Sequence, residues 1–305
     1  MNTTTTMAFD TNQLSRPFRK LRKELRRVGK HPEVEQVHQL RTHARRVEAV
    51  IEAVEQSPDA NERELLRLLE RVRKGAGKVR DMDVFIAHLA HLEIPAGEND
   101  CQVELLEYLS GKRLRNARKL YRVVEENGPE LRRRLKRCNS RILDLVQQAE
   151  NSSVNEPNAT TVHAVADALQ VSADLARAEI LRDDSLHDYR LGVKRLQYVL
   201  QLADQSHKDE QFIEQLKQVK DSIGEWHDWQ VLSGIAGKVL KAHHSCRLLR
   251  VIKATAAEKL EGAVELATRM RQQYLQQKSS SGRGKSRGKT LLAAAALSAA
   301  STLVA

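Results

Sequence analysis

The stretch Val37–Val54, VHQLRTHARRVEAVIEAV, returns later in the chain as Leu186–Ala203, LHDYRLGVKRLQYVLQLA. In constant register His38 falls on His187, Arg41 on Arg190, Arg45 on Lys194 and Arg46 on Arg195. The shared pattern is [V/L]-H-x-x-R-x-x-x-[R/K]-R-[V/L]. In a helix advancing about 100° per residue, His38, Arg41 and Arg45 form a narrow stripe with Arg46 on its flank. Leu40, Val47, Ile51 and Val54 fall across from that stripe, as do Leu186, Tyr189, Leu196 and Leu200 in the second copy. Each copy therefore predicts an amphipathic helix whose core face is opposed by imidazole, guanidinium and ammonium groups.

A line of such groups carries many hydrogen-bond donors and few acceptors, which suits an extended polyanion. Seen on one helix, it would read as an ordinary solvated face. Its repetition argues otherwise. The charged positions persist while their neighbours Gln39, Thr42 and His43 become Asp188, Leu191 and Gly192. Glu48 and Glu52 continue the first face and are placed to pair with Arg45, whereas Gln197 and Gln201 stand at their positions in the second copy.

A second pattern recurs in the same order: Gly77–Val84, GKVRDMDV, and Gly224–Val231, GEWHDWQV. Together the two pairs resemble the signatures of the CHAD family, the conserved histidine α-helical domain. The resemblance covers about residues 12–277, and His227 departs from it where the pattern expects an arginine such as Arg80. It implies a duplicated helical bundle that binds inorganic polyphosphate, and no catalysis is expected. On that reading the contacts are His38, Arg41, Arg45, Arg46, His187, Arg190, Lys194 and Arg195, lining a shared basic groove. Arg19, Arg115, Arg118, Arg122, Arg247 and Arg250 form a second tier. Family members are often fused to a triphosphate-tunnel domain carrying ExExK, a motif this sequence lacks. The resemblance further implies a place on polyphosphate granules.

The expected fold class is all-α: two tandem, pseudo-symmetric antiparallel helical bundles with no sheet. Aromatic residues make up 4% and charged residues 30% of the 305, a balance that suits long helices filled by Leu, Val and Ala. The expected division is 1–11 as a disordered start, 12–150 as the first half, 151–159 as a linker, 160–278 as the second half, and 279–305 as a basic linker with an apolar tail. Glycine and proline are read as punctuation within the halves. Gly75-Ala-Gly77 is expected to end a helix begun near Asn61, and Asp81 to cap the next or to hold a basic side chain. Asn127-Gly128-Pro129 should stop a helix begun near Asp100, and Ile223 should end another begun near Glu210.

The formal net charge is +11, so an anionic partner is expected: polyphosphate, nucleic acid or an anionic membrane. Four of the positive charges, Arg283, Lys285, Arg287 and Lys289, lie in the tail. Leu291–Ala305 is apolar, but fifteen residues at about 1.5 Å rise fall short of a ~30 Å hydrocarbon core. Cys101, Cys138 and Cys246 are odd in number and far apart, which fits a reducing cytoplasm with neither disulfide framework nor metal pair. No cofactor or metal site is expected. The rival enzyme reading is a metal-dependent phosphohydrolase built on His187-Asp188, His227-Asp228 and His163. It lacks a further Asp after Asp228 and any HExxH or cysteine set. Nucleic-acid binding is the other rival, without an aromatic platform to support it. A bound polyanion favours the protonated imidazole, so His38 and His187 are expected to take up protons as ligand arrives.

Overall fold

The computed structural model describes residues 11–54, 57–93, 99–152, 170–178, 181–202, 210–242 and 246–276. Among these residues the regular structure is entirely helical. In order come α1 (Thr11–Arg27), α2 (Val34–Val54), α3 (Ala60–His91), α4 (Asn99–Ser152), α5 (170–177), α6 (Asp183–Leu202), α7 (Glu210–Val239) and α8 (Arg247–Met270). A 3₁₀ turn, Leu240–Ala242, follows α7, and a π turn, Arg271–Leu275, follows α8. The expected helix start at Thr160, the linker from 153 onward, His163 and the C-terminal tail lie outside the described residues.

Local chemistry explains several boundaries. Asp59 forms a capping box with Glu62: its carboxylate accepts from the Glu62 N–H at 2.8 Å, and Glu62 accepts from the Asp59 N–H at 3.0 Å. Two orphan donors at the start of α3 are thereby satisfied. Pro32 sits just ahead of α2, where Gln36 accepts from the Glu33 N–H at 3.2 Å. At the start of α6 the Ser185 hydroxyl accepts from the Arg182 N–H at 2.9 Å.

Three helices run through the expected breaks, and each correction has the same cause. In α3 the buried positions Leu65, Leu69, Val72, Ala76, Val79, Met82 and Phe85 keep a helical period across Gly75-Ala-Gly77. In α4 the buried row Ala117, Leu120, Val124, Leu131, Leu135, Cys138 and Ile142 passes through Asn127-Gly128-Pro129 without losing phase. In α7 the row Leu216, Val219, Ile223, Trp226, Leu232 and Ala236 crosses Gly224. An interior glycine costs about 1 kcal/mol and an interior proline about 3 kcal/mol. Fully burying one Leu or Val contributes about 1.5–3 kcal/mol, so several in phase outweigh the interruption. Gly75 also has a packing reason, because a Cβ there would meet Leu120 Cδ1 at 3.2 Å, where α3 and α4 approach closely.

The chain forms two compact units that interleave in sequence. Among the described residues, one comprises those of 15–142 and 225–258; the other comprises those of 11–14, 143–224 and 259–276. The division passes within α1, α4, α7 and α8, whereas the sequence halves were separated at the linker. In the first of these units Met82, Phe85 and Leu89 of α3, Cys101, Leu105 and Leu109 of α4, Trp229, Leu232 and Ala236 of α7, and Leu248 and Ile252 of α8 share one core. In the other, Leu186, Tyr189, Val193 and Leu196 of α6 are buried, as are Phe212, Leu216 and Val219 of α7 and Ala263 and Ala267 of α8. Phe212 stacks on Tyr274 at 4.9 Å between ring centroids.

Candidate functional site

Of the core face read from sequence, Leu40, Val47 and Ile51 of α2 and Leu186 and Leu196 of α6 are 0% exposed, Tyr189 is buried and Leu200 is half-buried, while the Val54 side chain lies outside the described residues. The cation positions repeat in exposure too. His38 and His187 are exposed; Arg41 and Arg190 are half-buried; Arg45 and Lys194 are half-buried; Arg46 and Arg195 are exposed. Each stripe is thus graded, with its arginine sunk into a seam beside a neighbouring helix and its ends in water.

The seam in the first unit lies between α2 and α3. Arg41 is laid against Gly77, where a Cβ would come 3.5 Å from its Nε. Asp81, one helical turn further along α3, has Arg41, His227, Arg45 and Arg80 in its electrostatic neighbourhood. Burial pushes the Asp81 carboxyl above its ordinary value, and the Arg41 charge is the strongest of those opposing it. Asp81 is therefore interior to α3 and faces basic side chains, which removes the capping alternative. Glu48 pairs with Arg73 of α3 at 2.8 Å, across the helices, and the Arg45 charge also acts on it. Its carboxyl is likewise raised, by burial above all, with Arg73 working the other way.

In the other unit α6 and α7 form the corresponding seam. Arg190 lies on Gly224, and its Nε donates to the Lys220 carbonyl at 3.1 Å. Where Glu48 holds Arg73 in the first seam, Gln197 accepts from Lys220 Nζ at 3.3 Å in this one. The glycine of one motif thus receives the arginine of the other, in both units. Sequence reading placed the two motifs in order without showing that they touch.

His43 marks where the copies differ. It is 4% exposed, and burial, followed by the charges of Arg46, Lys20, Arg16 and His38, pushes its pKa from 6.5 down to about 4. Arg16 and Lys20 belong to α1, so that helix brings cations toward α2. In the second copy Gly192 occupies this position, and a Cβ there would meet Leu175 of α5 at 3.0 Å. The two signature helices therefore have different neighbours at one position, and the residue changed with the neighbour. On acidification the unfolded chain protonates this imidazole near pH 6.5, while the folded chain holds it neutral to about pH 4. The unfolded state binds more protons across that window, so stability falls as pH is lowered through it. Thermal melts of His43→Gln should lose that share of the acid slope, at most about 1.4 kcal/mol per pH unit. An unchanged slope would show that His43 titrates normally in the fold.

The second tier is carried by α1, α4 and α8. Asn116 of α4 donates to the Lys78 carbonyl of α3 at 3.0 Å, and Leu120 packs on Gly75. Arg115, Arg118 and Arg122 consequently project from the other side of α4, exposed, and do not join the α2–α3 seam. Arg19 is exposed on α1. Arg247 and Arg250 are exposed on α8, whose Leu248 and Ile252 enter the core. Among the described residues no three His, Cys, Asp or Glu side chains gather as a metal site. Cys101 and Cys138 are buried free thiols, and Cys246 is a half-buried one. Among the described residues no helix is long and apolar enough to cross a membrane.

Helix pairs that each seat a motif arginine on a motif glycine define an all-α protein with one such seam in each unit. A profile of the CHAD domain matches residues 12–237, and the chain belongs to that family. PptA from Streptomyces chartreusis superimposes with a TM-score of 0.58 at 15% identity, over 87% of this chain and 100% of that one. The crystal structure of the CHAD domain from the plant Ricinus communis gives 0.55 at 16% identity, over 95% of this chain and 93% of that one. These likenesses establish the fold. No curated protein matches the sequence.

Proposed function

We propose that this protein binds inorganic polyphosphate through the α2–α3 and α6–α7 seams, that it does so without catalysing a reaction, and that binding serves to place it on polyphosphate. The observation that carries this reading is the recurrence of the arginine-on-glycine seam with one exposure pattern in both units. Guanidinium groups grip two oxygens at once, lysine supplies a mobile charge, and the exposed histidines donate when protonated. Family membership supports polyphosphate over other polyanions, as the resemblance implies. A long polymer held by one seam is present at high effective concentration for the other, because both belong to one chain.

Isothermal titration with long-chain polyphosphate at several salt concentrations tests the proposal. By analogy with counterion release from single strands, about six cation contacts should weaken binding about 300-fold for a fourfold rise in salt. Binding that ignores salt, or that nucleic acid outcompetes at equal phosphate concentration, would remove the reading. Release of free phosphate on adding Mg²⁺ or Mn²⁺ would favour the hydrolase instead.

A further inference from the structure

We propose that Gly224 is a positioning residue for Arg190: by lacking a side chain it opens a seat on α7 that fixes where the guanidinium points. The inference rests on the polyphosphate reading and adds to it the residue that sets the geometry of one contact. Glycine is less favourable than alanine inside a helix, and Gly224 lies fourteen residues into α7, where the backbone makes no demand for a positive φ. The reason for glycine is therefore outside the helix backbone. An ideal Cβ at this position would lie 2.9 Å from Arg190 Nη2 and 3.4 Å from both Cζ and Nε, so the guanidinium covers the place a methyl would take.

The hydrogen bonding explains what the seat achieves. Arg190 Nε donates at 3.1 Å to the carbonyl of Lys220, four residues before Gly224. That carbonyl is the one that receives the Gly224 N–H in an α-helix, and a Cβ at Gly224 would crowd the guanidinium that reaches its second lone pair. With Nε committed to α7, the two terminal nitrogens of the fork are left to meet an anion edge-on. Among the described residues Arg190 forms no ion pair that would compete for them. The Lys220 side chain is held by Gln197 and by Asp221, each at 3.3 Å, which keeps this turn of α7 against α6. The first seam is looser. At Gly77 a Cβ would stand 3.5 Å from Arg41 Nε, an ordinary van der Waals contact that alanine can make.

The two glycines should therefore respond differently to the same substitution. In Gly224→Ala the displaced atoms are the tip of a flexible side chain, so the helix accommodates the methyl and the guanidinium loses its seat. The expected result is an unchanged or higher melting temperature, an affinity for long-chain polyphosphate about tenfold lower, and a salt slope reduced by about one contact. Gly77→Ala should bind within about twofold of the parent, the scale of an alanine accommodated without clash. Adding Gly224→Ala to Arg190→Ala should cost nothing further, since both act through one side chain. A ligand-free readout separates the seat from its use: the Arg190 Nε–H resonance in ¹⁵N-labelled protein should be protected from solvent exchange and lose that protection in Gly224→Ala. Unchanged protection in Gly224→Ala would overturn the positioning role. So would parent-like binding by Gly224→Ala alongside weakened binding by Arg190→Ala. Lost protection with parent-like binding in both variants would leave the seat standing and remove the polyphosphate reading of this seam, and with it the role proposed.

Discussion

Arg41→Ala combined with Arg190→Ala should reduce retention on immobilised long-chain polyphosphate by about 10²-fold or more at moderate salt. Each guanidinium offers hydrogen bonds to a charged acceptor, and such bonds contribute about 1.5–3 kcal/mol apiece. Two of them amount to about two to four decades of affinity. Both arginines are half-buried at a seam, each against a motif glycine, so they are ordered before any ligand arrives. Pre-ordering lowers the side-chain entropy lost on binding, and for that reason these positions should outweigh exposed Arg115, Arg118 and Arg122. Arg41→Gln with Arg190→Gln keeps more of the stem while removing the charge, and should lose nearly as much. Circular dichroism melts of both pairs establish that the fold persists. Retained binding in a folded double variant would place the site elsewhere.

The largest stability effect is expected at Asp83. This carboxylate is 2% exposed at its side chain and pairs with Arg113 of α4, whose Nη2 also donates to the Pro32 carbonyl ahead of α2 at 3.0 Å. One buried acid thus ties α3 to α4 and to the entry of the signature helix. Removing one partner of a buried pair leaves the other charge without compensation and costs about 3–5 kcal/mol. Asp83→Ala should therefore lower the denaturation midpoint by an amount of that order, read from chemical melts. Because Arg113 keeps some exposure, 22% at its side chain, the lower end of that range is expected. Asp83→Asn, which still accepts a hydrogen bond, should cost less. A loss under about 1 kcal/mol in Asp83→Ala would mean that the pair behaves as a surface salt bridge. Gln230 occupies this motif position in the second copy and is exposed, so no equivalent effect is expected there.

Amino-acid order alone determined the all-α class, the two signature helices and their cation stripes. Each of these depends on spacing within a single helix, and residues three and four apart share a face whatever surrounds them. The buried rows bear this out at Leu40, Val47 and Ile51 and again at Leu186, Tyr189 and Leu196. Sequence reading failed where a residue's meaning depends on a distant partner. Gly75, Gly77 and Gly224 read as helix ends because glycine usually punctuates local structure. In the fold Gly75 and Gly224 are clearances for Leu120 and Arg190, and Gly77 lies against Arg41. Asp81 had two meanings, and the proximity of Arg41 and His227 selected one. Likewise, the α4 arginines repeat the spacing of the α2 stripe, but the tertiary fold turns them away from α3 because Asn116 and Leu120 occupy that side. Periodicity is a one-dimensional property that a chain carries with it; a seam is a distance between residues far apart in sequence, and only packing sets that distance.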